Sequence, residues 1–86
     1  MEESNNRFDY IFIYRGSQIA IADVEGYEEA IDRLIDYINS RDIGTLYRIV
    51  GPVKRVTRAY VEKRFSVVNV HCRAEEERIS ISRFYD

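Results

Sequence analysis

The chain has 86 residues, 45% of them apolar and 33% charged, which suffices for one hydrophobic core and excludes a wholly disordered polymer. Its single cysteine, Cys72, and single histidine, His71, exclude an internal disulfide, a cysteine-based zinc site and a histidine-rich metal cluster. The net charge of −2 conceals a segregation: residues 1–47 carry −6, residues 48–73 carry +6 and residues 74–86 carry −2. No apolar run is long enough to span a membrane. The polar start Met1-Glu2-Glu3-Ser4-Asn5-Asn6 also lacks the basic and apolar segments of a secretory signal. A cytoplasmic protein without membrane contact or cofactor is therefore expected.

Residues 1–6 read as a frayed tail and residues 7–86 as a single α+β domain. Residues 8–14, Phe-Asp-Tyr-Ile-Phe-Ile-Tyr, are β-branched and aromatic and predict a strand. Gly16-Ser17 reads as a two-residue turn returning into a second strand over 18–24. That register pairs Tyr14 with Ile19, Phe12 with Ile21 and Tyr10 with Asp23, and puts Ile11, Ile13, Ala20 and Ala22 on the other face. Both faces are apolar in the middle, so cover is expected on both sides. A helix can supply one cover, and a second helix or a second copy of the chain the other.

Residues 26–40 predict a helix whose buried stripe is Tyr27, Ala30, Ile31, Leu34 and Ile38. Glu28, Asp32 and Asp36 form an i, i+4 row on the opposite side, which reads as a solvated face rather than a magnesium site. Asn39-Ser40-Arg41-Asp42 followed by Gly44 reads as the stop, and residues 45–50 as a third strand. Residues 51–64 read as a second helix, with Gly51 as cap, Pro52 as first residue and Val53, Val56, Thr57, Tyr60 and Val61 on its apolar face. As a strand, this segment would have no cleanly apolar alternate set. Residues 65–72 and 78–85 predict a closing hairpin, in which Val68, Val70 and Cys72 share a buried face and His71 lies beside Ser80 and Ser82 on the wet one.

The expected fold is a small two-layer α+β domain of order ββαβ(α)ββ, a mostly antiparallel sheet packed against one long and one short helix. With GPVKRVTRAYVEKRF in the place of the second helix, this element order is similar to that of the Alba-type and translation-factor C-terminal domains. The resemblance implies nucleic-acid binding. It departs at the hairpin tip, which is Ala74-Glu75-Glu76-Glu77 where an Alba-type protein carries a basic arm.

No glycine loop for phosphate is present, and the group of His71, Ser80 and Ser82 lacks an oxyanion donor and an orienting carboxylate, so no enzyme is expected. The informative feature is the basic segment. Arg48, Lys54, Arg55, Arg58, Lys63 and Arg64, with Tyr47 and Tyr60 among them, suit phosphate neutralisation and base stacking by DNA or RNA. The competing reading is that these cations face the domain's own acidic helix. A non-catalytic nucleic-acid-binding module acting as a homodimer is the first expectation. A protein-interaction module, an inhibitor or assembly subunit using the acidic helix or the aromatic hairpin, is the second.

Overall fold

The computed structural model describes residues 6–73. Strand β1 (Phe8–Tyr14) forms where the sequence predicts it and lies at the centre of a three-stranded antiparallel sheet of order β2-β1-β3. Strand β2 (Ser17–Val24) returns one residue earlier than predicted, because the turn is Arg15-Gly16 rather than Gly16-Ser17. Both turn residues have positive φ, 54° and 82°, the conformation whose twist suits a two-residue hairpin. The register therefore pairs Tyr14 with Ser17, Phe12 with Ile19 and Tyr10 with Ile21. It is two residues from the expected one, and an even slip leaves the side chains up to Ile21 on their predicted faces. A bulge then absorbs one residue near Asp23, whose φ of 63° is held by Asp9 and Arg7. The Asp23 N–H donates to Asp9 Oδ1 at 2.9 Å, and Arg7 donates to the Asp23 carboxylate and carbonyl.

Helix α1 (Tyr27–Asn39) buries Ala30, Ile31, Leu34 and Ile38, four of the five predicted stripe residues; Tyr27 at its start is partly exposed. Its first turn is tied down by Glu29, whose carboxylate accepts the Glu25 N–H at 2.9 Å. Residues 45–50 are not a strand. They belong to helix α2 (Ile43–Val50), capped by Asp42, whose side chain accepts the Thr45 N–H at 2.7 Å. The β-branched composition pointed to a strand, but Leu46, Ile49 and Val50 sit at i, i+3 and i+4, and their common burial favours a helix. Gly44, expected in the stop, lies within its first turn.

Gly51-Pro52 likewise ends a helix rather than starting one. Gly51, at φ 93°, closes α2 with its N–H on the Tyr47 carbonyl, and proline cannot continue the helix. Residues 52–57 are irregular. Helix α3 spans only Arg58–Arg64, capped by the Thr57 hydroxyl, which accepts the Tyr60 N–H. Strand β3 (Ser66–Cys72) pairs antiparallel with β1, with a bulge opposite Ile11 and Phe12. The bulge interrupts the alternation expected of this strand, and Val68 and Val70 are 52% and 47% exposed rather than buried. The predicted strand 78–85, with Ser80 and Ser82, lies outside the described residues.

The core joins Tyr10, Phe12, Ile19, Ile21 and Val24 from one sheet face to residues of all three helices, Val56 and Phe65. The helices thus form one layer on one side. Ile11 and Ile13, half-buried, and Ala20 and Ala22, exposed, lie on the opposite face, so the second helix does not cover it. Among the described residues the order is ββαααβ, which departs from the expected ββαβ(α)ββ and from the element order shared with the Alba-type and translation-factor domains. No described helix is long and apolar enough to cross a membrane.

Candidate nucleic-acid interface

The seven candidate residues fall on three local structures. Arg48 projects from the last turn of α2, where the helix dipole favours a cation. Lys54 and Arg55 lie in the 52–57 loop, and Arg58, Tyr60, Lys63 and Arg64 on α3. Lys54, Arg55 and Arg58 do not lie on one helix, as the helix expected over 51–64 implies, since α3 begins only at Arg58.

The loop is fixed from a distance. Asn39, in the last turn of α1, donates through Nδ2 to the Val56 carbonyl at 3.0 Å and accepts the Val56 N–H on Oδ1 at 2.9 Å. This two-bond clamp, with Val56 buried beside it, sets the path of the chain between Lys54 and Arg58. The sequence shows Asn39 only as part of a helix stop; nothing local marks its partner.

Arg58 is not available to a ligand. Its guanidinium bonds Asp32 at 3.1 Å, Glu62 at 3.0 Å and Glu28, two of these being the acidic row of α1. Partial burial works against its charge, but the Glu28 and Glu62 carboxylates outweigh that and raise its pKa further. Here the competing reading, a cation facing the acidic helix, holds. Glu28 and Asp32 are correspondingly engaged, and among the described residues no three His, Cys, Asp or Glu side chains are grouped to hold a metal ion.

The other cations of the segment behave differently. Among the described residues, ion pairs engage Arg7, Arg33, Arg58 and Arg73, whereas Arg48, Lys54, Arg55, Lys63 and Arg64 make none. All five are exposed. Tyr60 is committed to the fold instead of being open for stacking. Its hydroxyl donates to the Val50 carbonyl at 3.1 Å, and the Arg64 guanidinium lies over its ring, 4.0 Å from the centroid. Burial raises its hydroxyl above the ordinary tyrosine pKa and the nearby Tyr14 adds to this, with Arg64 and Arg15 opposing. Tyr47, 60% exposed beside Arg48, is the aromatic ring left open. His71, half-buried, lies opposite Asp9 in the β1–β3 pairing, away from this surface.

No family model matches the chain, and neither characterised proteins nor solved structures give a match. Function must be argued from the surface itself.

Proposed function

We propose that this domain is a non-catalytic nucleic-acid-binding module whose contact surface is Arg48, Lys54, Arg55, Lys63 and Arg64, with Tyr47 as its exposed ring. The observation that carries the reading is the asymmetry of pairing. Arg7, Arg33, Arg58 and Arg73 are matched to carboxylates, whereas these five, like Arg15 and Arg41, form no ion pair among the described residues. Unpaired arginine and lysine side chains neutralise a phosphate backbone and release its counterions, and an exposed tyrosine accepts a base by stacking. Arg58 does not contribute, because its charge is cancelled internally, nor does Tyr60, because its ring and hydroxyl are occupied. DNA and RNA offer the same phosphates, and nothing on this surface separates them.

The test is retention of the purified protein on immobilised single- and double-stranded oligonucleotides across a salt series. Binding at low salt that falls steeply with added salt supports the reading; absence of retention at low salt overturns it.

A second reading, a protein-interaction module, is favoured by Ile43 and Tyr47, 71% and 60% exposed one turn apart on α2. The aromatics of the hairpin, by contrast, face the core. Homodimerisation belongs with either reading. Its surface would be the open sheet face around Ile11 and Ile13, continued by Ala20 of β2 and by Asn69 and Ser66 of β3. Light scattering at micromolar concentration tests it, with Ile13→Glu expected to leave a monomer.

A further inference from the structure

The tip of the β1–β2 hairpin carries an arginine at a position where local preference favours glycine, asparagine or aspartate. Arg15 has φ 54°, in the left-handed region, as the first residue of the two-residue turn. Residues that break a local preference in this way are concentrated at functional positions. The Arg15 side chain reaches across the molecule to the end of α2, where a Cβ added to Gly51 would lie 2.7 Å from Arg15 Nη1. The glycine both closes the helix and leaves room for the guanidinium.

Gly51 follows Val50, whose carbonyl holds the Tyr60 hydroxyl, and the Tyr60 ring carries the Arg64 guanidinium. Tyr14, adjacent to Arg15, packs its ring 5.1 Å from that of Phe65, adjacent to Arg64. The hairpin tip and the end of α3 are thus held together: the Arg64 guanidinium lies on the Tyr60 ring, and Arg15, beside Gly51, is near enough to act on the Tyr60 hydroxyl. Neither has an acidic partner among the described residues. A guanidinium stacked on a ring keeps its N–H groups directed outward along its edges, the geometry that meets the oxygens of a phosphate. Two like charges brought together by the fold are relieved by an anion bound between them.

We propose that Arg15 and Arg64, both near Tyr60, form a phosphate-binding subsite that extends the basic surface onto the hairpin tip. The source of the phosphate, a nucleic-acid backbone, rests on the function proposed above; a free phosphate compound presents the same chemistry, and the test separates the two.

The Nε–Hε resonances of the arginines are followed by NMR while the protein is titrated with inorganic pyrophosphate and, separately, with a single-stranded oligonucleotide. Arg15 and Arg64 are expected to shift together along one saturating curve, while Arg7, Arg33 and Arg58, held by carboxylates, stay in place. Arg15→Asn keeps a residue suited to left-handed backbone and so preserves the turn. It should weaken the pyrophosphate-dependent shift of Arg64 and lower the slope of log affinity for the oligonucleotide against log salt by about one. If pyrophosphate moves both arginines and the oligonucleotide does not bind, the subsite stands and its phosphate source is a small molecule. If the oligonucleotide binds with Arg15 and Arg64 unmoved, or if Arg15→Asn binds it as the wild type does, the subsite is overturned and the wider interface is not. Resonances unmoved by both probes overturn it as well.

Discussion

Removing the Asn39 carboxamide is expected to destabilise the domain well beyond what an exposed helix end would lose. Asn39→Ala deletes both hydrogen bonds to Val56 and strands its N–H and carbonyl in a part-buried setting. Each neutral bond contributes about 1 kcal/mol net, and the two stranded groups add a partial desolvation cost, for a total loss of about 2–3 kcal/mol. In a domain of this size that lowers the melting temperature by about 10–20 °C, read by circular dichroism. Asn39→Asp sharpens the test. The carboxylate still accepts the Val56 N–H but sets an oxygen against the Val56 carbonyl, so at neutral pH it should be no more stable than the alanine variant. Protonation in acid restores a donor, and the gap to wild type should then narrow. Ser40→Ala, one residue on, removes two exposed bonds, one to the Tyr37 carbonyl and one from Arg41, and serves as control. A melting temperature for Asn39→Ala within about 2 °C of wild type would refute the clamp, since even one net bond is worth more than that.

The double variant Lys54→Ala/Arg55→Ala should weaken oligonucleotide binding on all sequences alike and lower the salt slope by about one to two, whereas Arg58→Ala should leave the slope unchanged in the same filter-binding assay. Phe12→Ala empties a site that is 1% exposed and should cost about 3–5 kcal/mol in urea denaturation; Ile13→Ala on the open face should cost less than half as much. Asp23, Glu29 and Asp42 are held below the ordinary carboxylate range by Arg7, by the Glu25 amide and by the Thr45 amide respectively. For Asp9 burial acts upward, but the Asp23 amide and Arg73 outweigh it and leave that carboxyl lowered too. Depressed folded-state values stabilise the protein above the unfolded carboxylate pKa of about 4 and lose that contribution as pH falls through the folded values. Stability should therefore be flat on this account above about pH 5 and decline below about pH 4, less steeply for Asp42→Asn, which keeps an uncharged cap on α2.

Features set by neighbours in the chain were legible in the sequence. The aromatic, β-branched run of β1 formed where expected, and the 3.6-residue period of Ala30, Ile31, Leu34 and Ile38 located α1 and its buried face. The concentration of positive charge after residue 47 needed only counting. Even the misplaced hairpin register kept the side chains up to Ile21 on their faces, because alternation survives an even slip; past it a bulge exchanges Asp23 for Val24.

Tertiary structure decided what depends on partners far along the chain. Thr45–Val50 has the composition of a strand and becomes a helix because that geometry buries Leu46, Ile49 and Val50 together. Gly51-Pro52 can stop one helix or open another, and the packing of α2 selects the stop. Only the fold shows which hairpin face the helices take, leaving Ile11 and Ile13 outside the core. At the candidate surface, Glu62 at i, i+4 sets Arg58 apart from Arg55 locally. The larger difference comes from the fold, which places Glu28 and Asp32 of α1 beside Arg58, while Arg55 makes no ion pair among the described residues. The same holds for Asn39 and Arg15. Each is an ordinary polar residue in its own segment and acquires its role from a backbone group that the fold brings to it, Val56 for one and Gly51 for the other.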